Sequence, residues 1–130
     1  MARVLALVPD LLFGSRVQGS LIAAGHDVEL IGGEAGLAER LADADAPPAA
    51  VLIVDLADGS FDGAGIVESL SRGEALGQTR TLAFYAHVEG SVRERAEQAG
   101  FDLVVPRSRM AREGAELVTR LAGEGAPRGD

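Results

Sequence analysis

Apolar residues recur along this chain in five short runs: Val4 to Val8, Val28 to Ile31, Ala50 to Val54, Thr81 to Tyr85 and Leu103 to Val105. Runs of this length, rich in branched side chains, predict buried β-strands. The segments between them follow a helical period. Phe13, Val17 and Leu21 are spaced four apart and stop short of Gly25, which predicts a helix closed by a glycine cap. Leu37 and Leu41 repeat that spacing in a shorter piece, and Ile66, Val67 and Leu70 mark a third helix. Val92, Ala96 and Ala99 mark a fourth, which stops at Gly100 and opens with a capping box, Ser91 followed by Glu94. Gly114, Leu117, Val118 and Leu121 predict a fifth amphipathic helix. The order is strand then helix, five times. Each return to the same edge of a sheet needs a crossover helix, so strict alternation predicts an α/β domain with a doubly wound, five-stranded parallel sheet covered on both faces. The domain is expected over residues 1–122, with 123–130 a flexible, polar C-terminal tail.

Composition narrows the picture. A chain of 130 residues fits one hydrophobic core. It is 47% hydrophobic but only 4% aromatic, so that core has to be built from Val, Leu, Ile and Ala. The net charge is −8 and the 12 basic residues form no run that could track a phosphate backbone, so nucleic acid is not an expected partner. With no cysteine, disulfides, thiolate metal sites and thiol nucleophiles are excluded. The opening apolar run is cut by Pro9 and Asp10, unlike a signal peptide, and no stretch reaches the roughly 20 apolar residues of a membrane span. A cytoplasmic protein with no membrane association is expected.

In doubly wound sheets the functional crevice lies at the carboxyl ends of the strands. That directs attention to Pro9 and Asp10, Gly32 and Gly33, Asp55, Ala86 and His87, and Pro106 to Ser108. Gly32, Gly33 and Gly36 hint at a phosphate loop, but the Lys-Ser/Thr ending of a P-loop is missing, and turn geometry accounts for them better. Asp58 and Asp62 flank glycines as a calcium loop might, without the distant bidentate acid such loops use; an Asp/Gly turn is the plainer account. His87 is a candidate acid/base group with no nucleophile in a recognisable elbow beside it. Arg107, Arg109 and Arg112 form a basic cluster fit for an anionic partner or, more simply, a solvated helix start.

Val51 to Asp55, continuing through Asp58, Asp62 and Gly63, resembles the third strand and following loop of response-regulator receiver domains of two-component signalling. In that family the strand ends in the phosphate-accepting aspartate, and a glycine follows eight residues later; Asp55 and Gly63 keep the interval. Tyr85-Ala86 resembles the end of the fourth strand, Glu97 to Gly100 the Ala-Gly closing the fourth helix, and Arg107 stands seven positions on, where a basic residue belongs. The resemblance covers Val4 to about Leu121 and implies a flavodoxin-like (βα)5 receiver fold with Asp55 in the phosphoacceptor position.

The departures bear on function. The family's pair of acids after the first strand, which with the phosphoacceptor holds magnesium, is Val8 and Pro9 here, leaving Asp10, and after the third strand Asp58, as the candidates for an acidic pocket. Asp27 or Glu29 around the second strand are further candidates to compensate. Magnesium needs octahedral oxygen ligation, so no cofactor is expected beyond a weakened magnesium site. The switch hydroxyl is replaced by Tyr85, the fifth-strand lysine by Arg107, the proline after it by Ser108, and the fifth-strand aromatic by Val104. Arginine is a planar fork and not a point charge, so that exchange is not conservative.

For Asp55 three readings compete: phosphoacceptor, a solvated aspartate closing the strand, or one half of a constitutive ion pair with Arg107. The resulting expectation is a stand-alone pseudo-receiver, a non-enzymatic signalling module with an incomplete phosphorylation site. It would work through a protein partner or a homodimer, using the face of the fourth helix, fifth strand and fifth helix, with Val92, Arg95, Ala96, Arg109 and Arg112. The alternatives are a phosphorylatable regulator that takes phosphate on Asp55 from a histidine kinase, and a flavodoxin-like small-molecule binding domain.

Overall fold

A computed structural model describes residues 2–57, 62–86 and 90–125. The elements are β1 (Arg3–Leu7), α1 (Leu11–Ala23), β2 (Asp27–Ile31), α2 (Glu34–Ala42), β3 (Val51–Asp55), α3 (Gly63–Arg72), β4 (Arg80–Tyr85), α4 (Gly90–Ala99), β5 (Leu103–Pro106) and α5 (Arg107–Gly125). All strands pair in parallel in the order β2-β1-β3-β4-β5. The chain order therefore reverses between β1 and β3, and the switch point opens at the carboxyl ends of those two strands.

Alternation along the strands splits the interior in two. On one face Val4, Ala6 and Val8, with Val51, Ile53, Leu82, Phe84 and Val105, meet Phe13, Val17 and Leu21 of α1 and Met110, Leu117, Val118 and Leu121 of α5. On the other, Leu5, Leu7, Leu52, Val54 and Ala83 meet Leu37 of α2, Ala64, Ile66 and Val67 of α3, and Ala96 and Ala99 of α4. The strands of the centre have no polar face, which is what a parallel sheet under two helical layers requires. The predicted doubly wound sheet is present in full.

Helix ends follow local chemistry. Beyond Ala24, Gly25 takes a φ of 93°, and after α4 Gly100 takes 98°, both in the left-handed region where a side chain would be strained. At the opposite end of β4 and β5, Asp102 ties the two strands together. Its carboxylate accepts from the Thr81 amide at 2.8 Å and from Arg80 at 3.2 Å, while its own amide donates to the Thr81 hydroxyl at 3.0 Å.

Three boundaries differ from the sequence expectation. The helix α4 already begins at Gly90, so Ser91 sits inside its first turn and not at a capping position. The helix α5 begins at Arg107, directly after β5, because Met110 extends the buried stripe of Leu117, Val118 and Leu121 one further heptad toward the strand. It also runs through Gly125, taking Gly123 to Gly125 out of the expected tail.

This division between core and surface predicts a sharp contrast. Leu52 is fully buried while Leu12 is 77% exposed. Leu52→Ala is expected to cost about 2–5 kcal/mol in urea denaturation, and Leu12→Ala to stay within about 0.5 kcal/mol of the parent.

Candidate functional site

The site is built where β1, β3, β4 and β5 end. Asp55 closes β3, only 4% exposed, and its Oδ1 accepts the Ala57 amide at 2.8 Å. This is an Asx-type turn that leads the chain off the sheet. The next amide, that of Leu56, donates to the Phe84 carbonyl at 2.9 Å, so the strand end is held against β4. By the two-residue alternation Asp55 falls on the same side as Val51 and Ile53, the side covered by α1 and α5.

Asp10 stands at the N-cap of α1. Its Oδ1 accepts the amides of Leu12 at 3.0 Å and Phe13 at 3.1 Å, satisfying two donors that a helix start leaves open. Its Oδ2 accepts from Arg107 Nη2 at 3.2 Å. The Phe13 amide is the strongest influence on this carboxyl and holds its pKa below the usual aspartate value, with the Leu12 amide and Arg107 acting in the same direction.

Arg107 is the first residue of α5, and the first turn of that helix carries no acid. A cation at the positive end of a helix dipole is unfavourable unless a negative group is near. Asp10 supplies that group. The guanidinium also lies 4.2 Å above the Phe13 ring, and Phe13 in turn packs against Phe84, with centroids 5.1 Å apart and planes tilted by 50°. The ion pair across the strand ends thus joins Arg107 to Asp10, replacing the Asp55–Arg107 pairing that the sequence allowed.

The remaining candidates fall in different places. Tyr85 ends β4, 5% exposed and opposite Pro106, and its hydroxyl makes no hydrogen bond among the described residues. Val8, which stands where the family has one of its paired acids, is packed into the α1/α5 core. Asp27 and Glu29 do not compensate: Asp27 pairs in register with Arg3 at the opposite end of the sheet, and Glu29 forms an ion pair with Arg40. Asp62 caps α3 by accepting the Gly65 amide at 3.0 Å. Gly32 and Gly33 lead straight into α2, in keeping with a turn. Asp58 and His87 lie outside the described residues.

The expected face of α4, β5 and α5 is altered too. Ala96 is fully buried against the sheet, and Arg95 turns to α3, bonding Glu68 at 3.0 Å with Asp62 at 3.9 Å. Arg109 and Arg112 both pair with Glu113, at 3.6 and 3.4 Å. Within its own helix the basic cluster therefore has one carboxylate, Glu113, shared between two of its guanidiniums, while Arg107 pairs with Asp10.

Among the described residues, the groups at Asp10 and Val8 do not fit magnesium. Both oxygens of Asp10 are committed, one to the α1 amides and one to Arg107, and Val8 offers carbon where an acid is needed. Among the described residues no group of three or more His, Cys, Asp or Glu side chains stands together as a metal site.

Sequence reasoning found Asp10 and Arg107 as separate candidates but missed Phe13 as the platform between them. An aspartate directly before an apolar-periodic helix is an N-cap signal. No sequence signal links Phe13 to Arg107.

Because its folded-state pKa is lowered, Asp10 contributes stability that is present above the unfolded value of about 4 and lost as pH falls through the folded one. Asp10→Asn keeps a capping oxygen but loses the charge, so its urea midpoint at neutral pH is expected between those of the parent and Asp10→Ala. Its midpoint is also expected to fall less steeply on acidification than the parent's.

No protein-family model matches the sequence, and no curated protein matches it either. Solved structures do. The Francisella response regulator 1452 receiver domain superposes with a TM-score of 0.81 at 14% identity, covering 95% of this chain and 98% of that one. The signal receiver domain of the response regulator NarL from Mycobacterium tuberculosis gives 0.77 at 22% identity, covering 94% and 96%. The signal receiver domain of a signal transduction histidine kinase from Syntrophus aciditrophicus gives 0.83 at 15% identity, covering 100% and 96%. With five parallel strands in the order β2-β1-β3-β4-β5 and helices on both faces, the chain has the flavodoxin-like fold of response-regulator receiver domains.

Proposed function

We propose that this chain is a receiver-fold signalling module whose strand-end site is held in one state by its own side chains, and which acts through a protein partner and not as an enzyme. The observation that carries this reading is the double commitment of Asp10. One carboxylate closes α1 and anchors Arg107, so three of its roughly four acceptor positions are taken and a guanidinium stands where a divalent cation would have to approach. Metal-assisted phosphoryl transfer to a carboxylate needs that cation to neutralise charge on the phosphoryl oxygens.

The parts that would transmit phosphorylation are also altered. Tyr85 is already inside, and Val104 is a partly buried aliphatic with no polar tip to swing. A site without a moving hydroxyl and aromatic pair works best as a fixed surface. Among the described residues the large exposed hydrophobics are Leu11, Leu12 and Ile22, all on α1. Two of them adjoin Asp10, which favours the rim of the site over the α4–β5–α5 face as the place of contact.

Asp55 nonetheless occupies the phosphoacceptor position, and a histidine kinase is the partner that the competing reading requires. The two readings part on one measurement. The protein is incubated with Mg²⁺ and acetyl phosphate, and its intact mass is compared with that of Asp55→Asn. No gain of a phosphoryl group in either is expected. A gain in the parent alone would overturn the proposal and make the chain a working response regulator.

A further inference from the structure

His26 lies in the corner between α1 and β2, at the end of the sheet away from Asp55. Its backbone is fixed: the His26 amide donates to the Leu21 carbonyl at 3.0 Å, and the next amide, of Asp27, donates to Ala2 at 2.9 Å. Its ring reaches α5, where Nε2 is 2.9 Å from the Thr119 hydroxyl. That hydroxyl has a single proton, which it donates to the Ala115 carbonyl at 2.8 Å. Towards His26 it can therefore only accept, and Nε2 must carry the hydrogen.

The tautomer follows from this chain of bonds. Nδ1 is the bare nitrogen, and it is buried without a hydrogen-bond partner. A neutral ring tolerates this at the cost of one unused lone pair. A protonated ring would not, since it would bury a charged N–H with nothing to accept it.

The charged groups nearby offer no rescue. The last turn of α1 carries neither acid nor base. Asp27, next in the chain, lies opposite Arg3 of β1, whose guanidinium donates to the Pro47 carbonyl. On α5, Glu116 and Arg120 flank Thr119 and are exposed. Burial, and after it the positive amino terminus, hold the His26 pKa below the ordinary histidine value.

We infer that His26 is a proton-operated latch, which as a neutral ring ties the α1–β2 corner to α5 and lets go when a solvent proton adds to Nδ1. To reach water, the new N–H has to turn out of its burial, and that rotation takes Nε2 away from Thr119. The latch joins the two helices that share one face of the sheet, so opening it loosens the distal half of α5. It stands apart from the strand-end site and does not depend on the function proposed for it.

The sign is fixed by linkage. With the folded-state pKa lowered, the unfolded chain takes the proton more readily, so the latch contributes stability above about pH 6.5 and loses it as pH falls. The test uses the full chain in a His87→Gln background, so that His26 is the one titrating imidazole. Ring-nitrogen correlation spectra are expected to show the Nε2–H tautomer at neutral pH and a pKa below about 6.5. Protection of α5 amides is expected to fall several-fold between about pH 7.5 and about pH 5.5, and to stay level when His26→Gln is added, which keeps a donor but cannot titrate. An Nδ1–H tautomer, a pKa at or above the ordinary value, or the same loss of protection in the glutamine variant would each overturn the inference. Thr119→Val, which removes the acceptor and leaves the fold's core untouched, is expected to abolish the pH dependence of α5 protection; an unchanged pH dependence would count against the inference.

Discussion

Every strand of this sheet is parallel, and that single constraint shapes the rest of the molecule. Parallel strands cannot be joined by tight turns, so each pairing brings a helix with it, and five strands come with helices enough to cover two faces. Once both faces are covered, the sheet interior is shut to water and its residues have to be apolar on either side. Leu5, Leu52, Ile53 and Leu82 are fully buried for this reason. Burial of each such side chain contributes about 1.5–3 kcal/mol, which is the main return against the entropy of ordering the chain.

The same geometry decides where chemistry can occur. Polar groups are excluded from the body of the sheet and gather at the strand ends, where Asp55 is buried at the close of β3 and Asp10 and Arg107 meet solvent. The helix starts facing that edge carry positive dipole ends, and α5 adds a cation of its own at its first residue. Asp10 answers two demands at once: it satisfies the open amides of α1 and faces the guanidinium at the start of α5. An exposed ion pair of this kind contributes little alone. Here the cap and the Phe13 ring fix both partners, so the pair sets the geometry of the site more than its stability.

The opposite edge of the domain is held by a different set of contacts. Asp102 binds the starts of β4 and β5, and His26 joins α5 to the entry of β2. One end of the fold is thus closed by the Asp10 carboxylate, whose pKa is held low, the other in part by an imidazole that has to remain neutral. Acid therefore acts on the two ends in different ranges, reaching the histidine first.

The arrangement of strands and helices was legible in the sequence because it rests on periodicity. Branched apolar runs such as Val51 to Val54 cannot be anything but buried strands between glycine- and aspartate-rich turns, and the four-residue spacing of Phe13, Val17 and Leu21 commits one helical face to the core. The importance of Asp55, Asp10 and Arg107 was legible from their positions after those runs. What they bond to was not. Arg107 and Phe13 are far apart in sequence, and whether Arg107 would turn to Asp55 or Asp10 depends on where α5 begins, which Met110 settles only by packing against α1. Likewise Ala96 and Arg95 are neighbours in sequence, yet one is sealed in the core and the other bridges to α3. Periodic burial is a local property that each segment states by itself; the pairing of polar side chains is a contest between distant groups, and only the assembled fold brings the competitors together.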